Sequence, residues 1–243
     1  MDIPIKVINL RRSADRRETF ARRNAHIAYE FVEAHDGAAL TEAQLADPRH
    51  FIPPLRFPSR GAYGCALSHL AQWDAAIAQD RPLTVAEDDA VFRLDFPEAS
   101  RKLMAHLPPD WDFILWGWNT DSVISLMSLP GVTPAVMLFN HQLLCENMDG
   151  FQALTTPSYP LALDRTVGIP AYTISPAGAR KFRQDCFPMK HFEMYFPVMN
   201  QNKANDGIDI AMARSYSVTK SFAAFPPLAA TPNETGKSTI QPP

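Results

Sequence analysis

Short apolar runs alternate with amphipathic stretches along much of the chain, which is typical of strands alternating with helices. A run rich in β-branched residues predicts a strand over 3–10, and a second strand is predicted over 28–33. Continuous apolar runs predict buried strands over 83–86 and 111–119, and a further strand is predicted over 168–175. The alternation predicts an α/β fold with a mainly parallel central sheet and helices on both faces.

Helical periodicity is clearest over 61–79, where Leu67, Leu70 and Trp73 share one face. The opposite face carries no lysine or glutamate, and its side chains are Cys65, Ser68, His69 and Gln72. We therefore expect that face to be covered, either by protein or by a ligand. A shorter helix is predicted after Ser175, whose hydroxyl suits an N-cap position.

Composition indicates one large globular domain. The chain has 243 residues, of which 46% are hydrophobic and 20% charged, enough for a sizeable core. We predict a single domain over 1–224, followed by a proline-rich tail over 225–243 that is extended or disordered. The segment 121–163 shows no strong periodicity, so its structure is not predicted.

Charge and cysteine content exclude several classes of protein. The net charge of -3 gives no basic footprint, so no nucleic-acid partner is expected. The sequence contains no run of about 18 apolar residues, so no transmembrane helix is predicted, and the N-terminus lacks a signal-peptide pattern. Three widely spaced cysteines argue against a disulfide framework and against a structural zinc site. We expect a cytoplasmic protein.

Three consecutive carboxylates, Glu87, Asp88 and Asp89, follow the apolar run 83–86. In extended chain Glu87 and Asp89 would point to one side, about 6.6 Å apart along the strand, and Asp88 to the other. That spacing suits a hard divalent cation, and ligands of open α/β sheets bind beyond the carboxyl ends of strands. A solvated acidic turn is the alternative interpretation.

Arginines follow the first predicted strand. Arg11, Arg12 and Arg16 lie where a strand end meets a helix N-terminus, an arrangement that favours phosphate binding. A solvated basic helix is the alternative, and it is the favoured interpretation for Arg17 and Arg22.

Other polar positions allow two interpretations each. His69 lies on the covered helix face, where a hydrogen-bonded structural histidine is the alternative to ligand contact. Asp36-Gly37 is most simply a turn. Trp118 and Asn119 end a predicted strand, where a ring and an amide would suit a base or a sugar, although core packing is the usual role of tryptophan.

Several motifs occur together in a fixed order. They are Asn9-Leu10-Arg11-Arg12 with Arg16-Arg17, Asp36-Gly37, Gly64-Cys65-Ala66-Leu67-Ser68-His69, Glu87-Asp88-Asp89, and Ala171-Tyr172-Thr173-Ile174-Ser175 before Gly178-Ala179. Over 3–212 this set resembles glycosyltransferase family 25, the lipopolysaccharide galactosyltransferase-like enzymes related to collagen galactosyltransferases. The resemblance implies a GT-A type fold, a nucleotide-sugar donor and a divalent metal held by a D-x-D-like motif.

The resemblance also implies roles for individual residues. Glu87 and Asp89 would hold the metal, Mn²⁺ or Mg²⁺, and Asp209 would be the general base or a further acidic contact. The residues implied around the nucleotide sugar are Asn9, Arg11, Arg16, Asp36, Gly37, His69 and Asp88. Two features depart from the family pattern, because Glu87 replaces an aspartate and 190–205 matches weakly.

The implied reaction moves a hexose, galactose, from UDP-galactose to a cell-surface glycan or lipooligosaccharide acceptor, with inversion. Peripheral contact with the inner membrane at its cytoplasmic face would fit a glycolipid acceptor. Two alternatives also use clustered acids or the same fold. One is a metal-dependent phosphohydrolase or nucleotidyltransferase, and the other is a non-catalytic paralogue that binds a nucleotide sugar or a glycan.

Overall fold

The computed structural model describes residues 3–196 and 200–233. The strands are β1 (Ile5–Asn9), β2 (Glu30–Glu33), β3 (Phe51–Ile52), β4 (Leu83–Glu87), β5 (Val91–Phe92), β6 (Phe113–Gly117), β7 (Val123–Leu129), β8 (Thr133–Leu138), β9 (Tyr159–Thr166), β10 (Ala171–Ile174), β11 (Met189–Lys190), β12 (Glu193–Phe196), β13 (Gln201–Ala204), β14 (Ser221–Phe225) and β15 (Ala229–Ala230). The helices are α1 (Ala14–Arg23), α2 (Glu42–Leu45), α3 (Arg60–Gln79), α4 (Phe96–Met104), α5 (His141–Glu146), α6 (Met148–Gln152), α7 (Pro176–Cys186) and α8 (Ile208–Ala213).

A nine-stranded mixed sheet forms the centre, in the order β2-β1-β4-β10-β6-β14-β9-β7-β8. Only the β1–β2, β1–β4 and β6–β14 pairs are parallel, and the other five pairs are antiparallel. The prediction of a mainly parallel sheet is therefore wrong. The α/β class is confirmed, while the GT-A type of this fold stays a prediction.

Two features make the sheet mixed. β10 lies between β4 and β6 and pairs antiparallel with both, so the strand direction reverses in the middle of the sheet. The segment 121–163, which has no readable periodicity, contributes the β7–β8 hairpin, α5, α6 and the start of β9. Only three residues separate β7 from β8, and such a short connection permits antiparallel pairing alone.

Helices cover both faces of the sheet, as predicted. Phe113 and Leu115 of β6 pack in one cluster with residues of α3, α7 and α8. Ile114 and Trp116, which alternate with them, pack in a second cluster with residues of α1 and α4. Because side chains alternate along a strand, β6 is buried on both faces, which explains its continuous apolar sequence.

Helix α3 is covered on both sides, which confirms the prediction for its polar face. Trp73 lies fully buried in the core, while Ser68 and His69 on the other face are only 2% and 1% exposed. Ser59 caps the helix by accepting a hydrogen bond from the Ala62 N–H, and Asp80 ends it in a left-handed conformation. None of the helices in the described part of the chain is long and apolar enough to cross a membrane.

The predicted tail is partly folded. Phe225 ends β14, β15 pairs with β5, and Leu228 between them is fully buried. Residues 225–233 thus contribute packed structure, contrary to the expectation of an extended or disordered tail. The remaining part of that tail, 234–243, lies outside the described residues.

A close backbone approach joins α3 to the 3-10 turn Gly37–Ala39. A Cβ atom on Gly64 would lie 2.3 Å from the carbonyl oxygen of His35 and 2.6 Å from the Gly37 nitrogen. These partners are backbone atoms, which cannot move aside as a side-chain end can. Glycine at position 64 therefore allows the segment 35–37 to lie directly on α3.

We expect Gly64→Ala to lower the free energy of unfolding by about 1–3 kcal/mol, the usual cost of overpacking. Gly150→Ala is the matched control, because Gly150 lies in α6 and a Cβ there has nothing within 4 Å. Alanine is the better helix former, so the control should be neutral or stabilised by up to about 1 kcal/mol. Urea unfolding measures both, and equal stabilities would contradict the proposed clash.

Candidate active-site cleft

A cleft of about 500 Å³ opens beyond the carboxyl ends of β1 and β4. These two strands are parallel neighbours, so their carboxyl ends meet at the same edge of the sheet. Residues from the segments 34–38, 87–89, 119–122, 167–169 and 206–210 line it together with the polar face of α3. The predicted position of a ligand site beyond the end of β4 thus coincides with the main cavity of the described structure.

The three acids lie in a tight turn at the end of β4. The strand ends at Glu87, and the Ala90 N–H donates to the Glu87 carbonyl at 3.1 Å. The alternation expected of extended chain therefore stops at Glu87. All three residues line the cleft, and the same Arg16 nitrogen contacts both Asp88 and Asp89, so the prediction that Asp88 points away from Asp89 is wrong.

Asp88 is the most buried of the three acids, with 8% exposure. It forms an ion pair with Arg16 and accepts a hydrogen bond of 2.6 Å from the Asn9 amide. Asn9 is itself held by Arg17, which donates to its Oδ1 at 3.0 Å. Asn9 is buried and does not line the cleft, so it supports Asp88 from behind, while Arg17 is exposed and also holds Asn9 through its hydrogen bond.

Asp89 is strongly perturbed by its surroundings in the cleft. Its Oδ2 lies 3.3 Å from the Arg16 guanidinium, whereas its Oδ1 is buried without a hydrogen-bond partner in the described structure. Burial, followed by repulsion from Glu87, raises the pKa of Asp89 to about 7. Burial also raises the pKa of Asp88, although Arg16 and Asn9 oppose that shift.

A hydrogen-bonded chain leads from the core to Glu87. The Trp73 Nε1–H donates to the Tyr172 hydroxyl at 2.9 Å, and that hydroxyl lies 2.9 Å from His69 Nδ1. The other ring nitrogen, His69 Nε2, faces Glu87 Oε1 at 3.5 Å and has no hydrogen-bond partner in the described structure. His69 therefore has a structural partner on one side and the cleft on the other.

The remaining predicted residues differ in their placement. Asp36 and Gly37 line the cleft, and Asp36 pairs with Arg12 and accepts a hydrogen bond from the Ala38 N–H at 3.0 Å. Arg12 and Arg16 line the cleft as well, whereas Arg11 is exposed and outside the lining. The structure thus brings two of the three arginines at this strand end to the cleft.

Asp209 lies at the start of α8, as predicted for the beginning of a packed element. Its Oδ2 accepts a hydrogen bond from the Gly168 N–H and its Oδ1 one from the Ile210 N–H, both at 2.9 Å. Burial raises the pKa of Asp209 although both backbone donors oppose the shift. Asp209 and the exposed Asp206 line the same cleft as Glu87.

Sequence reasoning missed part of the lining. Arg60, Asp121 and Lys203 face the cleft, and no motif or periodicity marks them. Asn119 lines it as expected, but its neighbour Trp118 is buried at 1% exposure and packs on Phe139. Trp118 therefore takes the core role and not that of a platform for a base.

Acidic groups outnumber basic ones in the cleft, with seven carboxylates against four basic side chains. The carboxylates are Asp36, Glu87, Asp88, Asp89, Asp121, Asp206 and Asp209, and the basic residues are Arg12, Arg16, Arg60 and Lys203. The unpartnered oxygen of Asp89 lies within this excess of negative charge. Oxygen ligands in an acidic cluster fit a hard divalent cation.

The raised pKa of Asp89 predicts a pH-dependent stability of the metal-free protein. The folded state holds this proton up to about pH 7, whereas an unfolded chain releases it near 3.8. Stability from this group is therefore complete below about pH 4 and is lost as the pH rises towards 7. In the presence of a chelator, Asp89→Asn should melt at a higher temperature than wild type at pH 8, with a smaller difference at pH 5.

Asp149→Asn controls for the loss of an acidic charge, because the Asp149 side chain is 91% exposed and pairs with Arg23 at the surface. A difference between wild type and Asp89→Asn that stays constant from pH 5 to pH 8 would contradict the assignment.

Known proteins support a family assignment. The family model "Glycosyltransferase family 25 (LPS biosynthesis protein)" matches residues 2–196. "Putative glycosyltransferase R655" of Acanthamoeba polyphaga mimivirus is 37% identical over 127 residues, which is 49% of this chain and 39% of that protein. "Inactive glycosyltransferase 25 family member 3" of Mus musculus is 27% identical over 221 residues, 82% of this chain and 32% of that protein.

The chain thus spans about a third of the length of these curated relatives. Among solved structures, the match with A197 from STIV covers 92% of this chain and 81% of A197, at a TM-score of 0.39 and 11% identity. The family match extends over most of the chain and includes β1, the polar face of α3 and the acidic turn. The chain belongs to glycosyltransferase family 25.

Proposed function

We propose that the chain transfers galactose from UDP-galactose to a cell-surface glycan or lipooligosaccharide acceptor, with inversion and with a divalent metal, Mn²⁺ or Mg²⁺. The observation that carries the proposal is the meeting of Glu87, Asp88 and Asp89 with Arg16 inside the main cleft. Family membership supports glycosyl transfer in general. The sugar, the metal and the acceptor are inferred from the site and from the resemblance.

Electrostatics support a metal in this reaction. A nucleoside diphosphate brings negative charge into a cleft that already has more carboxylates than basic groups. A divalent cation held by Glu87 and Asp89 would neutralise the diphosphate and stabilise it as a leaving group. Asp88, which is engaged by Arg16 and Asn9, would keep the turn in place.

Basic side chains supply the other half of diphosphate recognition. Arg16 reaches the acidic turn, and Arg12 lies beside it at the N-terminus of α1. Guanidinium groups bind phosphate through charge-assisted hydrogen bonds, so both suit the diphosphate. Arg11, predicted as a third contact, is exposed outside the lining and would need to turn inward to contribute.

Asp209 suits the removal of the acceptor hydroxyl proton. It comes from α8, a different element from the acidic turn, and it lines the same cleft. Burial raises its pKa, which strengthens a carboxylate as a base. The hydrogen bonds from the Gly168 and Ile210 N–H groups hold the carboxylate in one orientation.

The setting of the reaction is part of the proposal. Cys65 and Cys186 are free thiols, which suits a reducing cytoplasm. The β7–β8 hairpin exposes apolar side chains, with Val132 at 79% and Leu138 at 72% exposure. A peripheral contact of this hairpin with the inner membrane would bring a glycolipid acceptor to the cleft.

A second candidate is a non-catalytic protein that binds a nucleotide sugar or a glycan. The mouse relative, 27% identical over 221 residues, is named inactive. A screen of nucleotide sugars with manganese, measuring release of the nucleotide, separates the two candidates. Release of the nucleotide that depends on an added acceptor supports transfer. Binding of UDP by a protein that releases no nucleotide from nucleotide sugars supports the second candidate.

We expect Asp89→Ala to abolish metal-dependent binding of UDP and to leave the fold intact, because it removes a proposed metal ligand. Calorimetry of UDP binding with and without manganese measures the effect. Asp149→Ala is the control for loss of an acidic residue at the surface. Binding by the Asp89 variant that retains the wild-type affinity and metal dependence would contradict the assignment.

We expect Asp209→Asn to keep donor affinity and to lower the transfer rate about 10²–10⁴-fold, or about 3–5 kcal/mol of barrier, as is typical for loss of an acid–base group. Asparagine keeps one oxygen for the Gly168 hydrogen bond but places its NH2 group towards the Ile210 N–H, so we expect some loss of stability, and the melting temperature is measured beside the rate.

Asp206→Asn is the matched control for Asp209→Asn, because Asp206 lines the same cleft without these backbone contacts. Transfer rate, UDP affinity and melting temperature are measured on both variants. A normal rate in the Asp209 variant with a reduced rate in the Asp206 variant would move the role of base to Asp206.

A further inference from the structure

Cys65 and His69 are neighbours on the polar face of α3, one helical turn apart. Their ligand atoms, Sγ and a ring nitrogen, lie with a Glu87 oxygen within 4.8 Å of one another. All three residues line the cleft. Within the described residues, this is the one group of three or more Cys, His, Asp or Glu side chains whose ligand atoms lie this close together.

A second observation marks this cluster as a candidate ligand site. His69 is 1% exposed, and its Nε2 has no hydrogen-bond partner in the described structure although it is aimed at Glu87, 3.5 Å away. A buried polar atom without a partner is costly, so such an atom is a candidate for binding a ligand. In a tetrahedral zinc site, neighbouring ligand atoms lie about 3.4–3.6 Å apart, which matches the distance between His69 and Glu87.

We propose that Cys65, His69 and Glu87 form a three-ligand site for a thiophilic divalent cation of the Zn²⁺ class. Its fourth position opens into the cleft, as in zinc sites that bind water or substrate. A thiolate suits Zn²⁺ or Co²⁺ and does not suit Mn²⁺ or Mg²⁺, which prefer oxygen. This site is therefore distinct in chemistry from the site proposed at Glu87 and Asp89, although the two share Glu87.

Protons balance on binding. The metal–sulfur bond forms as the Cys65 thiol gives its proton to solvent. Trp73 Nε1 can only donate, so the Tyr172 oxygen accepts from it and can give its own hydrogen to His69 Nδ1, which places the ring proton of the metal-free protein on Nε2. A cation at Nε2 displaces that proton, which passes through solvent to Nδ1, and the Nδ1–H then donates a hydrogen bond to the Tyr172 oxygen, whose own hydrogen turns away from the ring. Such a partner behind a ligating histidine fixes its ring orientation.

Competition for Glu87 is the functional consequence. A cation of the Zn²⁺ class in the thiolate site engages Glu87 and so opposes manganese-dependent donor binding. This consequence rests on the proposed function, whereas the site itself does not. The first test is therefore made with metal alone.

Cobalt is the probe, because a thiolate bound to Co²⁺ gives a charge-transfer absorption in the near ultraviolet. The full chain is titrated anaerobically with Co²⁺ at neutral pH. We expect a single equivalent to produce this absorption and excess Zn²⁺ to abolish it. Absence of the absorption in the wild-type protein would overturn the proposal.

Variants assign the ligands. Cys65→Ser should lose the charge-transfer band, and the Kd for Co²⁺ should rise at least about tenfold, since even supporting groups contribute about 10–100-fold to metal affinity. Cys145→Ser is the matched control, because Cys145 also has a histidine one turn away, His141, at 3.5 Å, but without a third ligand among the described residues. A band that is lost in the Cys145 variant and kept in the Cys65 variant overturns the assignment.

Glu87→Gln provides a test that leaves the thiol in place and covers the case in which Cys65→Ser fails to fold. The band should persist with a Kd raised at least about tenfold, and an unchanged Kd would remove Glu87 from the site. In a transfer assay, Zn²⁺ should then inhibit the wild-type protein more strongly than the Cys65 variant. If no transfer occurs at all, the cobalt result still decides the site.

Discussion

The ion pair of Asp88 with Arg16 is the interaction on which the cleft depends. A carboxylate at 8% exposure is stable in its charged form only when a cation and hydrogen-bond donors surround it. Asp88 receives these from Arg16 on α1 and from Asn9 at the end of β1. One buried charge therefore joins the end of β4, the end of β1 and the start of α1, which are the three elements that form one wall of the site.

As a consequence of this arrangement, the acidic residues of the turn lie close together. The other electrostatic features of the site follow from that crowding. Burial and repulsion from Glu87 keep the pKa of Asp89 high although Arg16 opposes the shift, and in the described part of the chain its Oδ1 has no hydrogen-bond partner. A cation would relieve the repulsion among Glu87, Asp88 and Asp89. This effect is part of the argument for the metal in the proposed function.

Glu87 links the acidic turn to the polar face of α3. It ends β4 and faces His69, whose ring is held from behind by Tyr172 and Trp73. Tyr172 belongs to β10, the strand that enters antiparallel between β4 and β6. The strand that makes the sheet mixed is therefore also the strand that positions the histidine beside the acids.

Local sequence predicted elements well where one pattern dominates. The strands at 83–87 and 113–117 and the helix 60–79 lie within or close to the predicted ranges, because apolar runs and a helical stripe have few other stable arrangements. The expected direction of Asp88 was wrong and the segment 121–163 allowed no prediction, each for its own reason. A turn after Glu87 ended the alternation, and a hairpin with short connections left no long-range pattern to detect.

The sequence by itself determined the order of the motifs, the acidic run after β4, the arginines after β1 and hence the family of the chain. Only the tertiary structure decided the direction of the strands and the composition of the cleft, including Arg60, Asp121 and Lys203. It also brought Cys65 and His69 to Glu87, a carboxylate about twenty residues away on another element. The physical reason is that strand pairing and helix packing bring distant residues together, and no local spacing records those contacts.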